Sequence, residues 1–227
     1  MKILIVDNNI DPKCWGASDL TRFAAQVAGA TVVVRRAPHD DLPKSIDRYD
    51  RIVVSGSMTS ALDEAPWISN LDSLIKQALD RKKPLLGVCY GHQRLAAVLG
   101  GKQILRKSAT PEFGWTRIEL TAPSALFKGI DEVFHSSSSH FDEVKQTPPG
   151  TKLLASSEGC EVQAYEVVGA PVFGIQFHPE KTLTEGNESI ESRRKKGEPK
   201  VLLNPDSGHK LFDAKVGQTL FGNFFTL

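Results

Sequence analysis

Short apolar runs alternate with helix-like segments through the first half of the chain, and this alternation constrains the fold more than any other feature. Residues 2–7 and 84–88 contain continuous apolar runs with the length of a buried strand. Residues 17–28 and 67–79 carry apolar side chains at the spacing of an amphipathic helix. Further strands are predicted at 31–34 and 51–55, and a further helix at 91–99. Strands that alternate with helices in this way predict a parallel sheet covered on both faces.

The second half of the chain has a different pattern, with short strands and few helices between them. The strand patterns lie at residues 116–120, 132–135, 152–155, 162–167 and 172–177. They predict hairpins and edge strands added to the main sheet. Apolar residues that recur every four positions between Phe212 and Phe225 predict a closing helix. The predicted fold class is α/β, a three-layer sandwich with a flavodoxin-like, mostly parallel sheet and added antiparallel strands. Residues 1–227 show no repeat or linker and are predicted to form a single domain.

Composition narrows the partners and the compartment. The 227 residues carry a formal net charge of +1, which disfavours nucleic acid as a partner. No apolar run approaches the roughly 20 residues that cross a bilayer, and the N-terminal run is too short for a secretory signal. We therefore expect no membrane association and a cytoplasmic location. Three widely spaced cysteines, Cys14, Cys89 and Cys160, predict neither a disulfide framework nor a zinc site.

Two polar segments are interpreted as structural. His135 and His140 flank four serines, and no cysteine or carboxylate cluster joins them, so we predict a strand end and a loop there and no metal site. No cofactor is predicted. Residues 184–210 are polar, and the basic cluster at 193–196 has Gly, Pro and Glu neighbours. This composition predicts an exposed surface insertion that is dispensable for the chemical step. A lid or docking arm beside the site is the alternative.

The segment around Cys89 carries the strongest sign of chemistry. A buried strand is followed by Gly87-Val88-Cys89-Tyr90-Gly91 and then by a helix. This Gly-x-Cys-x-Gly pattern is that of a nucleophile elbow with sulfur in place of the hydroxyl. Glycine permits the sharp turn, and the helix N-terminus favours the thiolate, which is the nucleophilic form. The N–H of Tyr90 is expected to face a developing oxyanion. A buried structural cysteine is the alternative.

A histidine and a carboxylate follow a later strand, in the segment Phe177-His178-Pro179-Glu180. A thiol needs a base within hydrogen-bond reach, and the base needs an acceptor that orients it. His178 can take the proton of Cys89 and give it to the leaving group. Glu180 can hold the imidazole tautomer. For this short pattern taken alone, a strand end with exposed polar residues is the alternative.

Residues 87–93 together with residues 177–180 resemble the class I, or triad, glutamine amidotransferase family, and within it the GMP synthase-like branch. The resemblance runs from Met1 to about Glu180 and resumes at the last helix. It implies that Cys89, His178 and Glu180 form a catalytic triad. It also implies glutamine hydrolysis through a γ-glutamyl thioester, with ammonia released to a synthase active site.

The same resemblance implies a set of substrate-binding positions. They are Gly56 and Ser57 at the oxyanion turn, Tyr90 at the elbow, Gln93 at the amino-acid end of the substrate, and Ser139, His140 and Phe141 near the glutamine site. The family has a second glycine at the position of Ser57, and its GMP synthase-like branch usually has glycine at the position of Phe141. Both replacements bear on the shape of the pocket.

Three functions follow from these residues. The first is a glutamine amidotransferase that supplies ammonia to an acceptor or to a separate synthase subunit, since the sequence contains no Gly-x-x-x-x-Gly-Lys-Ser/Thr phosphate loop. The second is a stand-alone γ-glutamyl peptidase or hydrolase with the same triad, which Ser57 and Phe141 favour. The third is a non-catalytic binding protein on the same fold, which the intact Cys89, His178 and Glu180 disfavour.

Overall fold

The computed structural model of the protein describes residues 1–11, 13–14, 16–198 and 201–227. These residues build a ten-stranded sheet with helices on both faces. The strands are β1 (Lys2–Asp7), β2 (Thr31–Arg36), β3 (Arg51–Val54), β4 (Leu85–Val88), β5 (Leu105–Leu120), β6 (Val133–Val144), β7 (Thr151–Ser156), β8 (Ala164–Val167), β9 (Val172–Ile175) and β10 (Leu202–Leu203). The helices are α1 (Ser18–Ala24), α2 (Pro66–Asp80), α3 (Tyr90–Gly100), α4 (Leu183–Lys195), α5 (Gly208–Leu211) and α6 (Ala214–Thr226).

Five strands form the parallel part of the sheet, in the order β2-β1-β3-β4-β9. Successive side chains of a strand point to opposite faces. Ile3 and Ile5 accordingly pack with α1 and α6 on one face, whereas Leu4 and Val6 pack with α2 and α3 on the other. Because both faces are buried, these strands read as continuous apolar runs.

The remaining strands extend the sheet from β9. Antiparallel pairs join β9 to β8, β8 to β7 and β7 to β5; β6 is antiparallel to β5, and the short β10 is parallel to it. The predicted three-layer α/β fold, with a mostly parallel sheet and added antiparallel strands, is confirmed. The predicted strands at 116–120 and 132–135 are parts of longer ones, because β5 begins at Leu105 and β6 continues to Val144.

Two smaller predictions are wrong in detail. The loop expected at the four serines does not form, because residues 136–139 pair with β5 and the ladder satisfies their backbone groups. The helix predicted at 17–28 ends at Ala24, and turns follow it. Among the described residues, no helix is long and apolar enough to cross a membrane.

The segment after Glu180 is not the exposed loop that its composition predicts. Thr182 and Glu185 form a capping box, in which the Thr182 hydroxyl accepts from the Glu185 N–H and the Glu185 carboxylate accepts from the Thr182 N–H. This arrangement satisfies two backbone donors at the start of a helix. The sequence therefore continues into α4.

Packing then holds α4 against β5 and β6. Gly186 and Ile190 are buried on the inner side of the helix. A Cβ at Gly186 would lie 2.7 Å from the ring of Trp115, so the helix approaches the sheet closely at this glycine. The outer side of α4 is polar, which is why composition alone suggested a loop.

Candidate active site

A strained turn at Cys89 joins β4 to α3. Cys89 stands between the last residue of β4 and the first residue of α3, with φ 50° and ψ −102°. A positive φ at a residue with a side chain costs on the order of 1–3 kcal/mol. The N–H of Cys89 donates to the carbonyl of Ile175 at 2.8 Å, which ties the turn to β9. The turn presents the thiol at the carboxyl edge of the parallel strands, where sheets of this type place their sites.

Two glycines make this turn sterically permissible. A Cβ on Gly87 would lie 2.6 Å from the backbone carbonyl of Gly91, and a Cβ on Gly91 would lie 2.3 Å from the carbonyl oxygen of Val54. These are backbone atoms of β3 and α3, so they cannot yield as a flexible side chain would. The close approach of strand and helix therefore excludes any residue larger than glycine at both positions.

His178 and Glu180 lie on the segment after β9. The N–H of His178 donates to the carbonyl of Ser137 in β6 at 2.7 Å. Its Nδ1 lies 2.6 Å from Oε1 of Glu180, whose side chain is 4% exposed. Arg22 of α1 donates to the backbone carbonyl of Glu180 at 2.7 Å. One strand and one helix that are distant in sequence thus fix both residues.

The surroundings of this pair set its ionisation. Burial acts to lower the pKa of His178, but the charges of Glu180 and Cys89 and hydrogen bonds with both outweigh burial and raise that pKa to about 10. Burial likewise acts to raise the pKa of Glu180, but the charge of His178 and its hydrogen bond lower it below its usual value. The arrangement favours an imidazolium between a carboxylate and the Cys89 sulfur.

Gly56 packs directly against both Cys89 and His178. A Cβ at position 56 would lie 3.0 Å from Cε1 of His178 and 3.5 Å from Cβ of Cys89. The hydroxyl of the next residue, Ser57, donates to the carbonyl of Asn8 at 2.8 Å. The Ser57 side chain is therefore engaged in holding the loop, and the loop backbone borders the sulfur.

Tyr90 contributes to the site through its backbone. Its ring packs in the core on the α2 and α3 face, with its centroid 5.8 Å from that of Trp67. As the first residue of α3, Tyr90 has an N–H without an acceptor inside the helix. This donor lies next to Cys89.

A small cavity of about 130 Å³ opens at Cys89. It is lined by six of the predicted site residues, Ser57, Cys89, Gln93, Ser139, His140 and Phe141, and by Met58, Thr59, Ser60, Lys107, Phe113, Asp142 and Arg193. Pockets for drug-sized ligands have volumes of roughly 300–1,000 Å³. The cavity therefore suits a small metabolite.

Gln93 and His140 are held by buried polar partners. The side-chain amide of Gln93 donates to the carbonyl of Asp142 at 2.7 Å and to Oε1 of Gln176 at 2.9 Å. The Nε2 of His140 lies 3.0 Å from Oε2 of Glu112, and its Nδ1 lies 3.2 Å from the Asp142 carbonyl. Both ring nitrogens of His140 are thus engaged within the protein, so His140 shapes the cavity wall.

A second opening of about 400 Å³ lies on the His178 side of the loop at residues 56–58. Its lining includes Gly56, His178 and Glu180, together with Glu185, Glu188 and Ser189 from α4. Ser57, Met58 and Ser139 border both openings. The sulfur and the imidazole are thus approached from two sides.

Arg193 is the clearest omission of the sequence prediction, which placed it in a solvated basic cluster. Its side chain is only 13% exposed, and it lines the Cys89 cavity. The Thr-x-x-Glu pattern at residues 182–185 is a helix-start signal that could have revealed α4 and its inward-facing positions. Among the described residues, no three His, Cys, Asp or Glu side chains are grouped so that they could hold a metal ion.

An α/β sheet with a nucleophile elbow, and a histidine–carboxylate pair beside it, define a class of thiol-containing hydrolytic proteins. Residues 20–195 match the class-I glutamine amidotransferase family, and the chain belongs to that family. The resemblance stated from the two motifs is confirmed, and so is the predicted class of enzyme.

The relatives are more particular. The chain is 37% identical over 148 residues to the glutamine-hydrolysing subunit of GMP synthase from Saccharolobus solfataricus, covering 65% of this chain and 76% of that protein. It is 37% identical over 132 residues to the subunit of the same name from Methanocaldococcus jannaschii, covering 58% and 69%. A solved glutamine amidotransferase from Methylobacillus flagellatus shares the fold, with a TM-score of 0.81 at 22% identity over 99% of this chain and 93% of that one.

Proposed function

We propose that this chain hydrolyses the side-chain amide of glutamine, with Cys89 as nucleophile, His178 as acid and base, and Glu180 as the group that orients His178. One observation carries the proposal: the strained elbow presents the Cys89 thiol to a histidine whose other nitrogen lies 2.6 Å from a buried carboxylate. Neither half of this arrangement is needed to hold the fold, and together they meet the geometric requirement for an activated thiol.

The first half-reaction forms a thioester. The thiolate of Cys89 attacks the carboxamide carbon, the carbon–sulfur bond forms, and the carbonyl electrons move onto oxygen. The N–H of Tyr90 and the backbone of the Gly56–Ser57 turn donate to this oxyanion. The His178 imidazolium then protonates the amide nitrogen, the carbon–nitrogen bond breaks, and ammonia leaves.

The second half-reaction returns the enzyme to its starting state. Neutral His178 takes a proton from water while the oxygen attacks the thioester carbon. The carbon–sulfur bond breaks and releases glutamate and the Cys89 thiolate. His178 is again an imidazolium, stabilised by Glu180 in both half-reactions.

We infer that the ammonia goes to a separate synthase subunit, and we propose the GMP-forming subunit of a GMP synthase in the cytoplasm. Two relatives at 37% identity are each named as a glutamine-hydrolysing subunit of that enzyme, which supports a second subunit for the synthase chemistry. The near-neutral net charge of +1 fits a soluble partner better than a polyanion.

A γ-glutamyl hydrolase is the second candidate, and the 400 Å³ opening beside His178 favours it. The leaving group departs on the side of the imidazole that protonates it. An opening of this size leaves room for an amine larger than ammonia. Rates on γ-glutamyl amines compared with glutamine distinguish the two candidates.

The function is tested by replacing the thiol. Cys89→Ala should lower kcat for glutamine hydrolysis by about 10⁴-fold or more, because loss of the nucleophile disables the whole triad. Cys14→Ser is the matched control, since Cys14 is an exposed free thiol. Substantial turnover by Cys89→Ala would contradict the nucleophile assignment. No turnover by the unaltered chain, alone or with a synthase, would favour a binding protein.

A further inference from the structure

The side chain of Arg193 is held in a fixed position at the mouth of the Cys89 cavity. Its guanidinium carbon lies 4.1 Å from the ring centroid of Phe113 and 4.7 Å from that of Phe141. These two rings are themselves in contact, with centroids 4.7 Å apart. The Nη1 of Arg193 donates to Oε2 of Glu198 at 2.8 Å. Two aromatic faces and one carboxylate therefore restrain the guanidinium.

The donors of Arg193 are mostly unused. A guanidinium has five N–H groups in a planar fork, and Glu198 accepts from one nitrogen. Within the described part of the chain, neither Nε nor Nη2 of Arg193 has a hydrogen-bond partner. A cation that lines a cavity with free donors is arranged to receive an anion.

The other cation of the cavity is already neutralised. The Nζ of Lys107 lies 2.7 Å from Oδ1 of Asp142 and donates to the hydroxyl of Ser60 at 3.3 Å. The other carboxylate oxygen of Asp142 accepts from Ser60 at 2.5 Å and from the N–H of Ala61 at 3.0 Å. Lys107 thus belongs to a closed set of contacts, which leaves Arg193 to face a bound anion.

We propose that Arg193 binds the α-carboxylate of the γ-glutamyl substrate and makes the site specific for a free amino acid. This inference rests on the proposed function, because it places the substrate's amide at Cys89 and its amino-acid end toward α4. The cavity of about 130 Å³ has room for one small molecule between Cys89 and Arg193, which both line it. In this role the basic residue supplied by α4 determines substrate class.

The test measures binding independently of turnover. Isothermal titration of L-glutamine and of its α-carboxamide analogue is carried out on the Cys89→Ala chain, with Arg193 intact or replaced. Arg193→Gln should weaken L-glutamine binding about 10- to 100-fold, the range for loss of a hydrogen-bonded charge pair. Binding of the α-carboxamide analogue should change little. Arg193→Lys should restore part of the affinity, because the charge returns without the fork.

Lys195→Gln is the matched control, since it removes the same charge from an exposed position two residues along α4. It should leave both affinities unchanged. With Cys89 present, Arg193→Gln should raise KM more than it lowers kcat, because the carboxylate contact is equal in ground and transition states. Equal weakening for both ligands, or loss of discrimination in Lys107→Gln but not in Arg193→Gln, would overturn the proposal. Thermal melting of each variant separates a folding defect from a binding defect. Failure of the unaltered chain to hydrolyse glutamine would instead count against the proposed function.

Discussion

His178 keeps its proton because of its neighbours, so a single substitution should change its ionisation. In Glu180→Gln the carboxylate charge is lost and burial dominates, so the pKa of His178 should fall from about 10. The proposed reaction uses the imidazolium to protonate the leaving nitrogen. The alkaline limit of kcat/KM for glutamine should therefore move to lower pH. A pH–rate profile and an NMR titration of the His178 ring measure the two shifts.

Glu188→Gln is the matched control for this experiment. Glu188 borders the same opening from α4 but has no hydrogen bond to His178. It should leave the profile and the titration unchanged. Glu180→Gln should also reduce kcat less than His178→Asn does, because Glu180 orients and His178 reacts. An unmoved alkaline limit in Glu180→Gln would contradict the ionisation assigned here.

Among the secondary-structure elements, α3 and β3 approach each other closely, and the elbow depends on this approach. Gly91→Ala would place a Cβ 2.3 Å from the Val54 carbonyl oxygen. We expect a loss of about 1–3 kcal/mol in the free energy of unfolding, as for overpacking, and a large loss of activity because Cys89 shifts with the turn. Urea denaturation and glutamine turnover measure the two effects.

Gly222→Ala controls for the effect of adding a methyl group to a helical glycine. A Cβ at Gly222 of α6 would meet no atom within 4 Å. Alanine also has the better helix propensity by about 1 kcal/mol, so this variant should be as stable as the unaltered chain or more so. A Gly91→Ala chain with the stability and activity of Gly222→Ala would show that the elbow has more room than the structure indicates.

The helix α4 shows how one element can be hidden by its composition. Its outer face is charged, and the few residues that hold it, among them Gly186 and Ile190, are spread along one side. The dispensability expected for this segment stays a prediction. Replacing residues 189–205 by a linker would remove both Ile190 and Arg193, so the structure argues for loss of stability and of substrate affinity together.

Across the molecule as a whole, the exposed loop beside the active site is suited to respond to a partner. Met58 is 77% exposed and borders both openings to Cys89 and His178. Adding the purified GMP-forming subunit of a GMP synthase should raise kcat/KM for glutamine by about 5- to 150-fold, the usual range of coupling between sites. Ammonia release is measured for the chain alone and for the chain mixed with that partner and the partner's nucleotide substrates.

Surface variants locate this coupling. Met58→Asp should reduce the stimulation by the synthase partner. Val168→Asp is the matched control, since Val168 is 70% exposed and precedes β9, at the opposite edge of the sheet from the site. Stimulation that survives in Met58→Asp and fails in Val168→Asp would place the partner on the other edge of the molecule.

Features that depend on short stretches of chain could be predicted from the sequence. The alternation of apolar runs and helical segments required a sheet buried on both faces. Gly87, Cys89 and Gly91 indicated the elbow, and the spacing of His178 and Glu180 indicated their contact, because each of these patterns is contained in a few consecutive residues. Such features follow from local sterics and from the burial of periodic apolar side chains.

Contacts between distant residues, in contrast, became known only from the packing of the fold. Ser137 holds His178, and Arg193 stacks on Phe113 and Phe141, through contacts that join separate elements. No local pattern encodes them, because they depend on how β5, β6 and α4 pack beside the elbow. The same packing turned a polar segment into a helix, since the free energy of burying a few side chains outweighs a composition that suggests a loop. Whether a charged residue lies in solvent or lines a cavity is therefore decided by the fold, not by its neighbours in sequence.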